Sequence, residues 1–536
     1  MQPESNDIRM KPKNRLQRRR QEKHVRKDKA QVTSPVAAAH LKLAKADQLR
    51  KTGKLKQAQA ICQGLLEKHP DYVGALHTLG LICMETDNYW AALSYFVRAA
   101  MLNPKDWTIL VNLANVYLGL GAQDMAAHSL EQARVLKHDD PNIQFTLGQV
   151  YEAQQEYELA AECFEEALAL DPDYPGAAHI LGGCCGHLGQ VERAAASLKR
   201  ALKSPQTTMH RLQVLYLLSQ LPASVIDIDL LDALQHAYAT DDKKDPDFET
   251  RAGFIRGAAL HRQGRHDEAW QNLVEANKGP NARYIDAYKK ELESSQRSME
   301  SAKAGGFSIR KPSPETDTLP ISLFILGPSR SGKTTMERLI SHLDGVKRGY
   351  ENRIVETAVR RTSQLCGLLT IDSLNSLPSG LDEKFSEIYV EELMARADAT
   401  RAFTNTHPGR ISNVGRLAQT VPNSRFIFVK RDLNDIVFRI FTKQYRANTN
   451  YYGYSIKNIS NYVSWYYEMV DTWINTMPEI CLTLSYEDMH TDPGETLNRA
   501  AEFCGLEVSG SKLPPLGDDT GCAEPYLTFL QHARSA

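Results

Sequence analysis

One short loop of this sequence combines glycine, hydroxyl and cationic residues at a spacing suited to binding an anion. It covers residues 327–334 and reads Gly-Pro-Ser-Arg-Ser-Gly-Lys-Thr. An apolar run at residues 321–326 precedes it and predicts a buried parallel strand, and helical spacing follows at residues 335–343. Backbone N–H groups in such a loop turn toward an anion, and the N-terminus of the next helix adds its dipole. The order strand, loop, helix therefore predicts an anion site without naming the anion.

A second group of charged residues follows the apolar strand predicted from residue 424 onward. Lys430 and Arg431 come first, then Asp432, and a helix follows. An enzyme that hydrolyses nucleoside triphosphates needs a carboxylate directly after such a strand to hold Mg²⁺. Because the cations come first here, the end of this strand is basic and suits another anion.

The loop fits two known patterns. As Gly-x-x-x-x-Gly-Lys-Thr it satisfies the nucleoside-triphosphatase loop, with Lys333 on the terminal phosphates and Thr334 on magnesium. It also resembles the sulfotransferase loop Gly-x-Pro-Arg-Ser-Gly-Thr-Thr, which holds the 5′-phosphosulfate of 3′-phosphoadenosine-5′-phosphosulfate. Ser329 and Lys333 replace the Pro and the first Thr of that pattern. The loop alone leaves both classes open.

Further blocks fall in the order found in sulfotransferases, and the chain is similar to tyrosylprotein sulfotransferases and to bacterial proteins that join tetratricopeptide repeats to a sulfotransferase domain. Arg431 stands where the family binds the 3′-phosphate, and Arg439 replaces a Ser that also binds it. Glu351 ends a Gly-Tyr-Glu segment at the position of the catalytic base. His407 lies in Asn-Thr-His-Pro, where the family has Asp-Lys-x-Pro, and Tyr486 begins a Tyr-Glu-Asp block.

The resemblance covers residues 320–508 and implies transfer of a sulfuryl group from 3′-phosphoadenosine-5′-phosphosulfate to an acceptor hydroxyl, with no metal required. Glu351 would accept the hydroxyl proton, Arg330 and Lys333 would be the catalytic cations, and His407 would lie on the acceptor side. The expected cofactor-binding residues are Ser329, Arg330, Ser331, Gly332, Lys333, Thr334, Thr335, Arg431, Arg439 and Tyr486. Residues 509–536 lack the family's cofactor-covering segment, which implies another covering element or weakened activity.

An internal repeat occupies residues 37–206. Four Leu residues, each followed by Gly or Ala, recur every 34 residues: Leu79, Leu113, Leu147 and Leu181. Alanines recur in phase with them at Ala92, Ala126, Ala160 and Ala194, then at Ala99, Ala133, Ala167 and Ala201. The pattern resembles the tetratricopeptide repeat, in which helix–turn–helix units stack into a superhelix. About five repeats are expected, with a protein or peptide partner on the concave face or, alternatively, a spacer role.

Length and composition set the remaining expectations. A chain of 536 residues exceeds one core, and 42% hydrophobic with 24% charged residues is usual for globular proteins. No apolar run approaches the roughly 20 residues of a membrane span, and the first thirty residues lack the apolar core of a secretory signal. Nine scattered cysteines give neither a disulfide framework nor a zinc pattern. We therefore expect a cytoplasmic protein without a transmembrane segment.

The predicted fold is an α-helical tetratricopeptide-repeat superhelix followed by an α/β P-loop domain with a parallel sheet. Four regions are expected: a basic mobile tail at 1–36, the repeats at 37–206, a helical cap with a degenerate repeat and linker at 207–310, and the sulfotransferase-like domain at 311–536. In the tail, residues 11–29 hold ten Lys or Arg against two acidic residues. Such a segment is a solvated arm or contacts nucleic acid or an anionic membrane surface.

The favoured interpretation is a sulfotransferase whose repeat domain recognises the acceptor or a partner protein. Two alternatives come from other classes: a P-loop kinase or ATPase, and a repeat-based binding protein with a degenerate transferase domain. The acceptor hydroxyl is open among peptide, glycan and lipid.

Overall fold

A computed structural model of the chain describes residues 35–203, 207–238, 247–310, 318–368, 371, 373–397, 399–445, 449–510, 513 and 516–535. The basic segment at 11–29 lies outside these residues. The chain divides into two compact units, one ending at Ala177 and one beginning at Ala178.

The first unit is built from helical hairpins, because small residues recur where two helices cross. Its helices are α1 Pro35–Lys51, α2 Leu55–Leu66, α3 Val73–Glu85, α4 Tyr89–Leu102, α5 Trp107–Gly119, α6 Gln123–Leu136, α7 Pro141–Gln154 and α8 Tyr157–Leu170. In the hairpin α7–α8, a Cβ added to Gly148 would lie 2.9 Å from the Phe164 ring. Gly80 of α3 faces the Phe96 ring of α4 in the same way. The repeated small residue therefore leaves the space that the large residue of the partner helix fills.

The second unit begins with more helices, the first of which starts at the last residue of the first unit. They are α9 Ala177–Leu188, α10 Val191–Lys203, α11 Thr208–Ser219, α12 Leu230–Tyr238, α13 Asp247–Arg262 and α14 His266–Ala304. α13 and α14 pack closely, since a Cβ on Gly257 would lie 2.7 Å from Leu273. α14 is 39 residues long and ends at Gly305, which has φ +71°. The positive φ suits glycine, so the chain leaves the helix here.

A five-stranded parallel sheet follows. Its strands are β1 Ile321–Leu326, β2 Val346–Lys347, β3 Ala402–Asn405, β4 Ser424–Lys430 and β5 Cys481–Ser485, in the spatial order β2-β3-β1-β4-β5. All four strand pairs are parallel. All six residues of the central strand β1 are buried, as expected for a strand covered on both faces.

Helices cover both faces of the sheet. They are α15 Lys333–Ile340, α16 Ile354–Leu365, α17 Asp382–Ala397, α18 Val414–Thr420, α19 Leu433–Phe441, α20 Ile456–Thr476, α21 Tyr486–Thr491, α22 Pro493–Cys504 and α23 Leu527–Ser535. Side chains alternate along β1, so that Phe324 packs in one core with Phe426, and Ile325 packs in another with Met336. The Phe324 and Phe426 rings stack at 5.1 Å. The two cores fix the sheet and hence the positions of the strand ends.

The predicted fold class is confirmed: helical repeats come first and a parallel sheet lies in the C-terminal half. The helix predicted at residues 335–343 instead spans Lys333–Ile340, because Gly332 adopts φ +92° and the helix begins directly after it. In the part of the chain that the structure describes, no helix has the length and apolar character needed to span a membrane.

Candidate active site

The carboxyl ends of the strands gather the predicted site residues at one edge of the sheet. Since all strands are parallel, the segments that follow them emerge on the same side. β1 leads into residues 327–332, here called the glycine loop, and β3 leads into Thr406 and His407. β4 ends before Arg431, and β5 ends before Tyr486. This edge is where ligands bind in open α/β sheets.

The glycine loop is tightly constrained. A Cβ on Gly332 would lie 2.2 Å from Cδ2 of Tyr486, and one on Gly327 would lie 2.3 Å from Ser331 Oγ. Arg330 has φ +66°, a conformation that non-glycine residues rarely adopt. A strained residue beside a helix N-terminus is typical of loops whose N–H groups converge on an anion.

Buried donors in this loop point to a ligand. Ser331 Oγ and Arg330 Nε are both buried, and neither has a hydrogen-bond partner among the described residues. Leaving such groups unpaired costs about 1–3 kcal/mol each. The terminal Nη2 of Arg330 donates to Gln220 Oε1 at 3.2 Å, which fixes the guanidinium. An anion in the loop would satisfy the unpaired donors.

Lys333 lies inside the site. Its side chain is buried, and Nζ donates to the carbonyl oxygen of Pro328 at 3.1 Å. Burial lowers the pKa of Lys333, the charge of Glu351 raises it, and that of Arg330 lowers it. Burial likewise lowers the pKa of Arg330, and the nearby charge of Arg439 adds to this. Like charges are thus held together, an arrangement that a bound anion would relieve.

Lys443 belongs to this group, although the sequence analysis missed it. The charge of Arg330, followed by burial, lowers the pKa of Lys443 to about 7, and Lys333 and Arg439 contribute. Its Nζ lies 5.2 Å from the centre of the Tyr445 ring. A signal existed, because Lys443 follows Arg439 at the four-residue helical spacing just beyond α19. The loop therefore faces one more cation than the motif predicted.

Arg431, Arg439 and Tyr486 form a second cationic group beside the loop. Only 3% of the Arg431 side chain is exposed, and its guanidinium lies 4.2 Å from the centre of the Tyr486 ring. Arg431 Nη1 donates to the carbonyl oxygen of Arg330 at 3.2 Å, which ties this group to the glycine loop. The structure thus brings Tyr486 together with Arg431, which lies 55 residues earlier in the sequence, and Arg439 follows Arg431 by only eight residues.

Asp519 contacts all three members of this second group. Its Oδ1 lies 2.9 Å from Arg431 Nη2 and accepts from the Tyr486 hydroxyl at 2.5 Å. Its Oδ2 lies 2.8 Å from Arg439 Nε. This contact is an ion pair and not a hydrogen bond, because the N–H group of Arg439 Nε is not directed at the oxygen. Burial raises the pKa of Asp519, but the charges of Arg439 and Arg431 outweigh it, so the pKa is lowered overall. The sequence carried no signal for this residue.

Glu351 is exposed on a turn that β3 and a buried carboxylate hold in place. Tyr350, with φ +51°, donates its N–H to Glu337 Oε1 at 2.9 Å and accepts from Thr406 N at 2.8 Å. Thr404 also donates to Glu337. The negative charge of Glu351 raises the pKa values of both Lys333 and Lys443. Glu351 therefore lies near enough to both lysines for its charge to act on them. Glu337, which helps to fix this turn, was not predicted from the sequence.

His407 lies next to the same group. Its Nδ1 accepts from Gly409 N at 3.2 Å and caps the 3₁₀ helix Pro408–Asn413. Burial and the charge of Arg410 lower the pKa of His407, whereas Glu356 and Glu351 raise it less. Because Nδ1 is an acceptor, the neutral ring carries its proton on Nε2 and can donate a hydrogen bond there.

The remaining predicted residues lie on or after the loop. The Ser329 hydroxyl is 3.0 Å from that of Tyr445, whereas Thr334 is exposed and Thr335 half-buried in the first turn of α15. Across the described ranges, no cluster of three or more His, Cys, Asp or Glu side chains has the arrangement of a metal site.

A parallel sheet with a glycine loop and cations at its carboxyl edge defines an α/β protein whose cationic edge suits an anion. Residues 320–510 match the model of the sulfotransferase family, and residues 141–174 match a tetratricopeptide repeat. The chain therefore carries a sulfotransferase-family domain together with tetratricopeptide repeats, and both predicted resemblances are confirmed.

Individual proteins and solved structures are similar to parts of the chain. Protein-tyrosine sulfotransferase 2 of Gallus gallus is 22% identical over 199 residues, which are 36% of this chain and 53% of that protein. The chain thus spans about half the length of this relative. The structure of MamA is 22% identical and covers 30% of this chain and 92% of its own, with TM-score 0.28. The Pseudomonas aeruginosa protein PilF is 15% identical over 42% and 97%, with TM-score 0.34.

Proposed function

We propose that this protein is a sulfotransferase that moves a sulfuryl group from 3′-phosphoadenosine-5′-phosphosulfate to an acceptor hydroxyl. One observation carries the proposal: two adjacent cationic groups lie at the carboxyl edge of a sulfotransferase-family sheet. Arg330 of the glycine loop forms one group with Lys333 and Lys443, and Arg431 with Arg439 forms the other beside it. A nucleotide with separate 5′ and 3′ anions matches two such groups.

The residues of the first group would act on the reacting atoms. The donor supplies an activated sulfuryl group, whose sulfur–bridging oxygen bond breaks as the acceptor oxygen binds sulfur and the bisphosphate leaves with the electron pair. Arg330, Lys333 and Lys443 would stabilise negative charge on the sulfuryl and bridging oxygens. Glu351 would accept the acceptor's proton, and its exposed position leaves room for that acceptor. His407 could orient the acceptor through Nε2.

The end of β4 favours this proposal over a triphosphatase. Asp432 is the carboxylate that would have to hold magnesium in that alternative. Its Oδ1 instead accepts from Asn434 N at 2.9 Å and from Asp435 N at 3.0 Å, so that it caps α19. Arg431 is buried directly after β4, and a buried cation at this position favours the binding of an anion.

In this proposal the tetratricopeptide repeats bind either the acceptor or a partner protein. The name of the Gallus gallus relative favours a peptide tyrosine among the possible acceptor hydroxyls. All nine cysteines are free thiols, which suits the reducing cytoplasm that we propose as its location.

Calorimetric titration of the full chain with 3′-phosphoadenosine-5′-phosphate, ATP and GTP, each with and without magnesium, tests the donor class. Magnesium-independent binding of the bisphosphate supports the proposal, and transfer of labelled sulfuryl from the donor to tyrosine peptides would complete it. Magnesium-dependent ATP binding without bisphosphate binding would replace it by a kinase or ATPase. If none of the three nucleotides binds, the repeat-based binding protein remains as the interpretation.

A further inference from the structure

The carboxylate of Asp519 has the surroundings of a bound phosphate. Arg431 and Arg439 approach its two oxygens at 2.9 and 2.8 Å, and the Tyr486 hydroxyl donates to one of them. Carboxylate and phosphate are recognised by guanidinium groups through the same charge-assisted contacts. In the proposed function these two arginines bind the 3′-phosphate of the donor. The chain therefore fills this subsite with an anion of its own.

The segment that carries Asp519 is anchored on one side. Asp435 accepts from Gly521 N at 2.7 Å and from Ala523 N at 2.9 Å. Tyr526 is fully buried and stacks on Phe438 at 4.3 Å. Residues after Gly521 are thus fixed to α19 by contacts shorter than those that Arg431 makes here, which are 3.7 Å to both Asp435 Oδ2 and Cys522 Sγ. Asp519 can leave the subsite by a movement of residues 516–520, with the anchor in place.

The contacts before the anchor run to the proposed subsite itself and within the loop. Besides its contact with the Asp519 carboxylate, Arg431 Nη2 donates to the carbonyl oxygen of Asp519 at 2.9 Å. The Tyr486 hydroxyl lies 3.5 Å from the carbonyl oxygen of Gly517, and Asp518 accepts from Thr520 N at 2.9 Å within the loop itself. Asp518 thus has the same charge as Asp519 and lies next to it, but its contact is with Thr520. Asp518 therefore serves as a control of equal charge for substitutions of Asp519.

We propose that Asp519 is an internal ligand of the 3′-phosphate subsite and competes with the donor for Arg431 and Arg439. This inference rests on the proposed function. A 3′-phosphate and the Asp519 carboxylate cannot both occupy the two arginines, because like charges at such distances repel strongly. Binding of the donor therefore displaces Asp519 and residues 516–520. A ligand that lacks the 3′-phosphate leaves Asp519 in place.

Two substitutions and two ligands test the competition. Asp519→Asn removes the competing charge, so it should tighten binding of 3′-phosphoadenosine-5′-phosphate about tenfold or more relative to AMP, on the scale of one charge-assisted contact. Asp518→Asn removes the same charge without touching either arginine and should leave the affinity ratio unchanged. The ratio, measured by calorimetry on the full chain, cancels long-range effects on both ligands.

Hydrogen exchange tests the displacement separately. In the wild-type chain, the bisphosphate should accelerate amide exchange in residues 516–520, and AMP should not. Slower exchange with the bisphosphate would overturn the inference, as would an unchanged affinity ratio in Asp519→Asn while the wild type binds the bisphosphate. In those two cases the sulfotransferase proposal stands. If neither the wild type nor Asp519→Asn binds the bisphosphate, both proposals fail.

Discussion

The guanidinium charge of Arg330 is the largest cause of the lowered pKa of Lys443, ahead of the burial of the lysine. Arg330 belongs to the glycine loop, whereas Lys443 comes from the segment just beyond α19. Their repulsion is a property of the ligand-free site. It makes anion binding and protonation of Lys443 interdependent, and this dependence can be measured.

Lys443 should take up a proton when the bisphosphate binds. Its pKa of about 7, against an ordinary 10.5, leaves it largely neutral at pH 8. A bound anion raises this pKa, so the affinity should fall as the pH rises from about 7.5 to 9. Calorimetry in two buffers of different ionisation enthalpy measures the uptake. His407 titrates below this range, because its pKa is lowered from 6.5.

Lys443→Arg keeps the charge but does not titrate in this range, so it should reduce the proton uptake while binding persists. Lys384→Arg on the exposed surface of α17 is the control and should match the wild type. Equal proton uptake in Lys443→Arg and the wild type would show that another group titrates.

The same lysine affects stability in the ligand-free protein. Its folded-state pKa is lower than in the unfolded chain, so the unfolded state binds more protons between about pH 7 and 10.5. The contribution of Lys443 to the free energy of unfolding therefore rises with pH through this window. Urea denaturation at pH 7 and pH 9 should show a smaller rise in Lys443→Met than in the wild type. An identical rise in both proteins would contradict a lowered pKa of Lys443 in the folded protein.

Arg431→Ala should weaken the 3′,5′-bisphosphate far more than AMP. The loss of a charge-assisted contact of about 1.5–3 kcal/mol corresponds to roughly 10- to 150-fold in affinity. Titration of both nucleotides gives the ratio, and Arg360→Ala on the exposed side of α16 serves as a control. An equal loss for the two nucleotides would remove Arg431 from the 3′-phosphate subsite.

Arg330→Ala and Lys333→Thr should differ in their effect on turnover. Lys333→Thr restores the residue usual in the sulfotransferase loop, and the backbone of the loop and Arg330 remain, so turnover should fall modestly or hold. Arg330→Ala removes the cation that is held by Gln220, and turnover should fall severely. The rate of sulfuryl transfer, measured for both variants and the wild type, gives the ranking. The opposite ranking would favour a triphosphatase, in which the lysine binds the terminal phosphates.

Glu351→Gln should abolish most of the turnover and spare nucleotide binding. Loss of a general base costs about 100- to 10,000-fold in kcat. Because the negative charge of Glu351 acts on Lys333 and Lys443, its removal should leave bisphosphate affinity unchanged or tighter. Single-turnover kinetics with saturating donor separate the two effects, and Glu507→Gln, which changes an exposed residue, is the control. A kcat near that of the wild type would exclude Glu351 as the base.

The parts of the site that follow buried strands were predictable from the sequence. The apolar run before Gly327 and the one before Arg431 each predict a strand, and parallel strands bring their ends together. Lys443 was also accessible, since its spacing from Arg439 is helical. Asp519 and Glu337 were not, because nothing local marks them. Asp519 lies 80 residues or more after the two arginines in the sequence and reaches them through a turn. Glu337 lies in a helix, and only the packing of other segments over it shows that it is buried.

The sheet order has a consequence for how the chain folds. Gly80 meets Phe96 within one hairpin, and contacts of this kind can form as soon as two neighbouring helices exist. β1 sits at the centre of the sheet, yet Ile321 pairs with Ala402 and Ser322 with Ser424, so it must wait for segments synthesised much later. Long-range pairing of this kind is slow. The repeats should therefore acquire structure early during synthesis. The β1 strand stays unpaired for longer, and an apolar strand left without partners is prone to aggregation.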